Sequence, residues 1–179
     1  MSREINRYPP AEFPHDDRPA PRRIEHRDRL QSLSIDAARL ADALRASIRG
    51  EVRFDDGARA LYSTDASNYR QVPIGVVVPR DAQDVIAAVA LARKHGAPIL
   101  GRGAGTSLAG QCCNVAVVVD MSKYMHGIAE MNPAEKFARV QPGIVLDDLR
   151  RAAELHTLSF GPDPATHARC TLAGMMGTN

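Results

Sequence analysis

The sequence predicts an α+β fold: a small parallel β-α-β unit followed by the start of a mixed or antiparallel sheet subdomain with helices. Residues 76–78 and 115–119 are apolar runs without polar alternation, as strands covered on both faces require. Apolar residues at helical spacing lie between the two runs. Beyond Asp120 the pattern changes to short strands joined by a proline-containing turn.

In chain order, residues 1–30 hold five of the 12 prolines together with charges of both signs, and read as a disordered leader. Within 31–50 a helix is expected from about Asp36 to Arg49, with Leu40, Leu44 and Ile48 on one face and Gly50 at its end. Residues 51–179 then form one partial domain. Its first strand, Val76-Val77-Val78, is stopped by Pro79, and Asp81 stands as the N-cap of a helix whose apolar positions are Val85, Ala88, Val89 and Ala92. Arg93, Lys94 and His95 suit the negative end of the helix dipole, and Gly96 is placed to end the helix. Pro98-Ile99-Leu100 starts a second strand, a glycine-rich segment follows, and 115–120 forms a third. Farther on, residues 126–131 and 136–141 read as strands joined by the turn Asn132-Pro133-Ala134-Glu135, and Pro142-Gly143 breaks the second. A helix is expected over 145–156 with Leu146, Leu149 and Ala153 inward, and the prolines and glycine of 159–166 demand a loop.

The segment Gly101-Arg102-Gly103-Ala104-Gly105-Thr106-Ser107-Leu108-Ala109-Gly110-Gln111 carries the chemistry. Its glycines open positive φ to the backbone and let an anion approach the main-chain amides, which points to a phosphate-bearing nucleotide; a purely structural turn is the alternative. A Rossmann fingerprint fails because Thr106 stands where its third glycine belongs and no helix pattern follows. A P-loop fails because Gln111 and Cys112 follow Gly110, with no lysine for the terminal phosphates.

Taken with Val77-Val78-Pro79, Val140-Gln141-Pro142-Gly143, Gly161-Pro162-Asp163-Pro164 and Thr171-Leu172-Ala173-Gly174-Met175-Met176-Gly177-Thr178-Asn179, this segment resembles the FAD-binding domain of the vanillyl-alcohol oxidase/p-cresol methylhydroxylase flavoproteins. The likeness, which runs from about residue 50 to the end, is strongest to the glycolate oxidase and D-lactate/D-2-hydroxyglutarate dehydrogenase branch. Ser63-Thr64-Asp65-Ala66-Ser67-Asn68-Tyr69 and Phe160 to His167 are similar to the long bacterial members that carry a C-terminal iron-sulfur region.

The resemblance implies FAD as cofactor, with its pyrophosphate held by the amides of Arg102, Gly103, Ala104, Gly105 and Thr106 and by the Ser107 hydroxyl. It implies that Gly143 lets the backbone pass close to the flavin or adenosine, and that Asp163, Pro164, Thr171, Gly174, Gly177 and Asn179 line the ribityl and isoalloxazine side. Thr106 stands where some relatives attach FAD through histidine, so the flavin is expected to be noncovalent. The expected reaction is oxidation of a small D-2-hydroxy acid by hydride transfer to flavin N5. Relatives continue past Gly177-Thr178-Asn179 into the rest of the fold and a substrate domain with the catalytic base. No catalytic residue is therefore assignable, and the chain reads as an N-terminal part that is inactive alone. An NADPH-dependent enolpyruvyl-sugar reductase on the same fold is a second reading, opposed by the Gly161 to Thr166 loop; a non-catalytic remnant is a third.

Composition agrees with a globular chain. The 23 basic and 21 acidic residues leave a net charge of +2, too small to indicate nucleic acid. No apolar run reaches the length of a membrane span and the N-terminus has no apolar signal core, so a cytoplasmic location is expected. Cys112, Cys113 and Cys170 fit no zinc or iron-sulfur spacing and are expected as reduced structural thiols without metal. His126 and His156 are expected on the surface, while His167 sits beside the loop assigned to the flavin. The Arg102 side chain has two readings, a phosphate partner or a surface carboxylate partner. For Tyr62 and Tyr69 packing is expected over a place in a substrate pocket.

Overall fold

The computed structural model describes residues 35–178; the leader and Asn179 lie outside them. Helix α1 (Ala37–Ser47) is capped by the Asp36 carboxylate, which accepts from the Arg39 amide. Strand β1 (Glu51–Arg53) and helix α2 (Asp56–Leu61) follow, the latter capped by Asp55. Neither was expected from the sequence, because three and six residues are too short to develop a period. Strand β2 (Gly75–Val78), helix α3 (Ala82–Lys94), strand β3 (Ile99–Arg102) and strand β4 (Val117–Asp120) form the expected parallel unit. The sheet order is β1-β2-β4-β3, with β1 antiparallel to β2 at the edge.

The sheet is a septum between two cores. Val77 and Val117 face α1 and α3, where they pack with Leu40, Leu44, Ile48, Ala88 and Ala92. Their neighbours Val76, Val78 and Val118 point the other way, onto Tyr62, Leu100 and Tyr124. Burial on both faces explains the uninterrupted valine runs. Helix α3 is turned slightly from its expected face: Ala88 and Ala92 are buried, but Val89 is exposed and Asp84 takes an inward position. Burial pushes the Asp84 carboxyl up, but amides of Arg49, Arg80 and Gly50 outweigh it and hold the group below the usual carboxylate range. An acidic side chain thus replaces an apolar one on the buried face because it pins the turn after α1 to the start of α3. Gly96, at φ +67°, ends the helix as expected.

The second part begins with the antiparallel hairpin of β5 (Ile128–Asn132) and β6 (Phe137–Val140), joined by the expected turn. Helix α4 (Leu146–Glu154) buries Leu146, Leu149 and Ala153. The loop of 159–166 has no regular structure, and a short helix α5 (Leu172–Thr178) follows that was not expected, because its seven residues carry a single apolar repeat, Leu172, Met175 and Met176, interrupted by Gly174 and Gly177. Ile144, Leu146, Leu149, Cys170 and Leu172 form a separate core against Met131, Ala138, Val140 and Phe160. An isolated bridge between Val145 and Thr171 ties the start of α4 to the start of α5.

Candidate functional site

Parallel strands leave a crevice beyond their carboxyl ends. Here β3 runs into the glycine segment and β4 into Met121, and α5 closes the crevice from the other subdomain. Two adjoining cavities result, of about 290 and 210 Å³. Gly103, Ser107, Gln111, Cys112, Gly174 and Thr178 border both. The first extends to Gly101, Arg102, Met121, Pro142, Ala173 and Gly177, and the second to Ala104, Gly105, Thr106, Pro164, Thr166 and Thr171. The glycine segment and the proline-rich bend before the C-terminus, far apart in sequence, therefore face one groove.

Gly103 is the point of contact between the halves. A Cβ there would lie 2.1 Å from Thr171 Oγ1, closer than any side chain tolerates. The Thr171 hydroxyl in turn accepts from the Gly174 amide and caps α5. Gly105, at φ +69°, bends the chain back, and a Cβ there would lie 2.6 Å from the Arg102 guanidinium. Among the described residues, none of the amides from Gly103 to Ser107 has a protein acceptor. These N–H groups are left to solvent or to an anion, which is the chemistry expected of a phosphate cradle.

The loop is braced from behind by its own Arg102 and by Tyr62, Thr64, Asp65 and Ala66, which lie outside the segment. The Arg102 guanidinium lies 5.2 Å over the Tyr62 ring and donates to the carbonyls of Thr64 at 2.8 Å, Cys112 at 3.0 Å and Tyr62 at 3.4 Å. In the structure this side chain gathers main-chain oxygens, and no carboxylate among the described residues pairs with it. The Ala66 amide donates to the Gly105 carbonyl at 3.0 Å, and Asp65 accepts from the Cys112 amide at 3.2 Å. Burial raises the Asp65 carboxyl, but the hydroxyl and amide of Ser67 and the Cys112 amide outweigh it and hold the group below its ordinary value. Tyr62 donates to Asp120 Oδ2 at 2.6 Å, and burial followed by that bond pushes its phenol well above the ordinary range. The Ser63 to Tyr69 segment is thus a support for the glycine loop.

Other expected site residues fall in different places. Pro164, Thr171, Gly174 and Gly177 border the groove. Asp163 instead pairs with Arg150 at 2.8 Å, is 70% exposed at the side chain and is not among the residues that line the two cavities. Gly143 is packed against the protein: a Cβ there would lie 2.2 Å from the Met121 carbonyl, so its small size serves the crossing of two backbone segments. Asn179 lies outside the described residues. Ser107 Oγ pairs with Cys112 Sγ at 3.1 Å, and the Cys113 and Cys170 thiols are buried. Burial and the charge of Asp65 raise the Cys113 thiol, which opposes formation of a reactive thiolate. Among the described residues no cluster of three or more His, Cys, Asp or Glu could hold a metal, and no helix is long and apolar enough to cross a membrane.

A family model described as FAD binding domain matches residues 73–179, more than half of the chain and all of this groove. The chain belongs to that FAD-binding family. Its cofactor is FAD, and the unpaired amides and close-packed glycines just described have the chemistry that an anionic group of such a cofactor requires. It is 38% identical over 142 residues to D-2-hydroxyglutarate dehydrogenase of Pseudomonas putida, covering 77% of this chain and 14% of that protein. It is 33% identical over 136 residues to glycolate oxidase subunit GlcD of Bacillus subtilis, covering 74% of this chain and 29% of that one. The chain therefore spans less than a third of the curated relatives it matches. Among solved structures, alkyldihydroxyacetonephosphate synthase superposes with a TM-score of 0.70 at 23% identity, covering 79% of this chain and 31% of that one. p-Cresol methylhydroxylase does so at 0.59 and 18%, covering 68% and 25%. Identities this low show the fold alone, and the fold is that of the p-cresol methylhydroxylase type.

Proposed function

We propose that this chain is the FAD-binding portion of a flavin-dependent oxidoreductase that oxidises a small D-2-hydroxy acid. The observation that supports the reading is the Gly103–Thr171 contact, since the unpaired amides and the Pro164–Thr171 wall border one groove, which a single dinucleotide would span. The names of the two relatives, a D-2-hydroxyglutarate dehydrogenase and a glycolate oxidase subunit, support the substrate class. When bound, the flavin would supply a two-electron acceptor for oxidation of the hydroxy acid by hydride transfer to N5.

The chain's own residues bind and orient. Amides of Gly103, Ala104, Gly105 and Thr106 and the Ser107 hydroxyl hold the pyrophosphate, each bond contributing about 1–3 kcal/mol to a charged acceptor. Pro164, Thr171, Gly174 and Gly177 close the groove on the ribityl side. The base that takes the substrate hydroxyl proton belongs to the portion of the protein that the relatives have and this chain does not span. A cytoplasmic location belongs to the same reading.

Adding FAD to the purified chain tests the reading. The expected result is a yellow protein whose flavin fluorescence is altered on binding and whose flavin is released entirely by denaturation, because Thr106 offers no imidazole for a covalent bond. A colourless protein that ignores FAD overturns it.

A further inference from the structure

The wall of the groove opposite the glycine segment has no strand or helix to hold it, since 159–164 lack regular structure. Its position is set from behind by helix α4. The Arg150 guanidinium, 18% exposed at the side chain, donates to the Pro162 carbonyl at 2.8 Å, the Phe160 carbonyl at 3.3 Å and Asp163 Oδ1 at 2.8 Å. One helical turn earlier, Asp147 meets Nδ1 of His167 with both carboxylate oxygens at 2.9 Å. The spacing of three residues puts both side chains on one flank of α4. The two ties bracket Pro164 and Thr166, the residues of this segment that border the second cavity.

Resting on the FAD reading above, we propose that Arg150 is a positioning residue for the cofactor: it sets the proline-rich wall of the groove by collecting the backbone of 160–163, with the Asp147–His167 pair holding the far end. Its role parallels that of Arg102 across the groove, which also gathers carbonyls. A planar five-donor fork can serve three acceptors at once, which a lysine ammonium on a single flexible stem does not reproduce. Asp163, assigned to the cofactor in the sequence, is the anionic third of this clamp, and the Arg150 bond and charge hold its carboxyl below the usual range.

The test is an FAD titration of the full chain and of Arg150→Ala, Arg150→Lys, Asp147→Asn and Arg151→Ala, with the thermal unfolding of each chain measured without FAD. Arg151 lies on the same helix in an exposed pair with Asp148 and serves as control. Arg150→Ala is expected to weaken FAD binding by on the order of tenfold, and Arg150→Lys and Asp147→Asn by less. Arg151→Ala is expected to bind as the unaltered chain does. Added methylguanidinium is expected to restore affinity to Arg150→Ala and to leave the unaltered chain unchanged, a response that a general loss of stability does not give. If Arg150→Ala does not fold, weakened binding by a folded Arg150→Lys supports the role and unchanged binding overturns it. Should the unaltered chain bind FAD and Arg150→Ala bind it equally well, this inference fails and the FAD reading stands. A chain that takes up no FAD at all overturns both.

Discussion

Gly103 and Thr171 touch so closely that no side chain fits between them: an added methyl group would lie 2.1 Å from the threonine hydroxyl. The two subdomains are joined at this point, one by a bare stretch of backbone and the other by the cap of α5. Replacing Gly103 with alanine is expected to push the cap away, loosen α5 and lower FAD affinity by about tenfold or more. Because Thr171→Ala removes the nearest atom, the double variant should lose less than the two single losses added together, as an FAD titration of the full cycle will show.

Gly105 and Arg102 form a second coupled pair. Valine at 105 must adopt φ +69° and would meet the Arg102 guanidinium, whereas Arg102→Ala releases the carbonyls of Thr64 and Cys112. From backbone access alone the glycine change is expected to be the worse. The structure predicts that each disorders the same loop, so Gly105→Val and Arg102→Ala are expected to be strongly non-additive in FAD affinity. Arg102→Lys, which keeps the charge, is expected to cost about 2 kcal/mol in urea unfolding because one ammonium does not replace the fork over the Tyr62 ring.

Tyr62→Phe isolates the bond beneath that ring. It leaves the Asp120 carboxylate, 7% exposed, with the Ser122 amide and hydroxyl as its donors among the described residues. A loss of about 1–3 kcal/mol in chemical unfolding is expected, with the isosteric ring still packed on Val76 and Val118.

Acid is expected to weaken the β1 edge. The Glu51 carboxyl is lowered from 4.5 to about 2 by bonds from Lys123 and Tyr124, which outweigh the opposing effect of burial, and Arg53 adds to the lowering. A folded-state value below the unfolded one means that the group stabilises the fold above pH 4.5 and loses that contribution as pH falls toward about 2. Asp65 and Asp84, also lowered, act in the same direction. Urea midpoints measured across this interval should fall, and Glu51→Gln should flatten part of the decline while lowering stability at neutral pH.

Much of this molecule was legible in its letters because the relevant forces act within one turn or one strand. Asp81 before Ala82, Gly96 after Lys94 and the valines of β2 and β4 each declare their element through neighbours a few residues away. The glycine segment likewise announces an anion site, since the absence of side chains is itself a sequence property. The role of Arg102 was not legible: it binds carbonyls 40, 38 and 10 positions away, and only the packing of β3 against the Tyr62 segment brings them within reach. Nor was that of Asp163, whose carboxylate faces Arg150 because α4 and the loop fold over a common core. Local periodicity and turn chemistry named the longer elements and a phosphate-bearing ligand, and the resemblance named FAD; long-range closure of the chain assigned each charged side chain its partner, because a guanidinium or carboxylate takes whichever opposite dipole the fold delivers within about 3 Å.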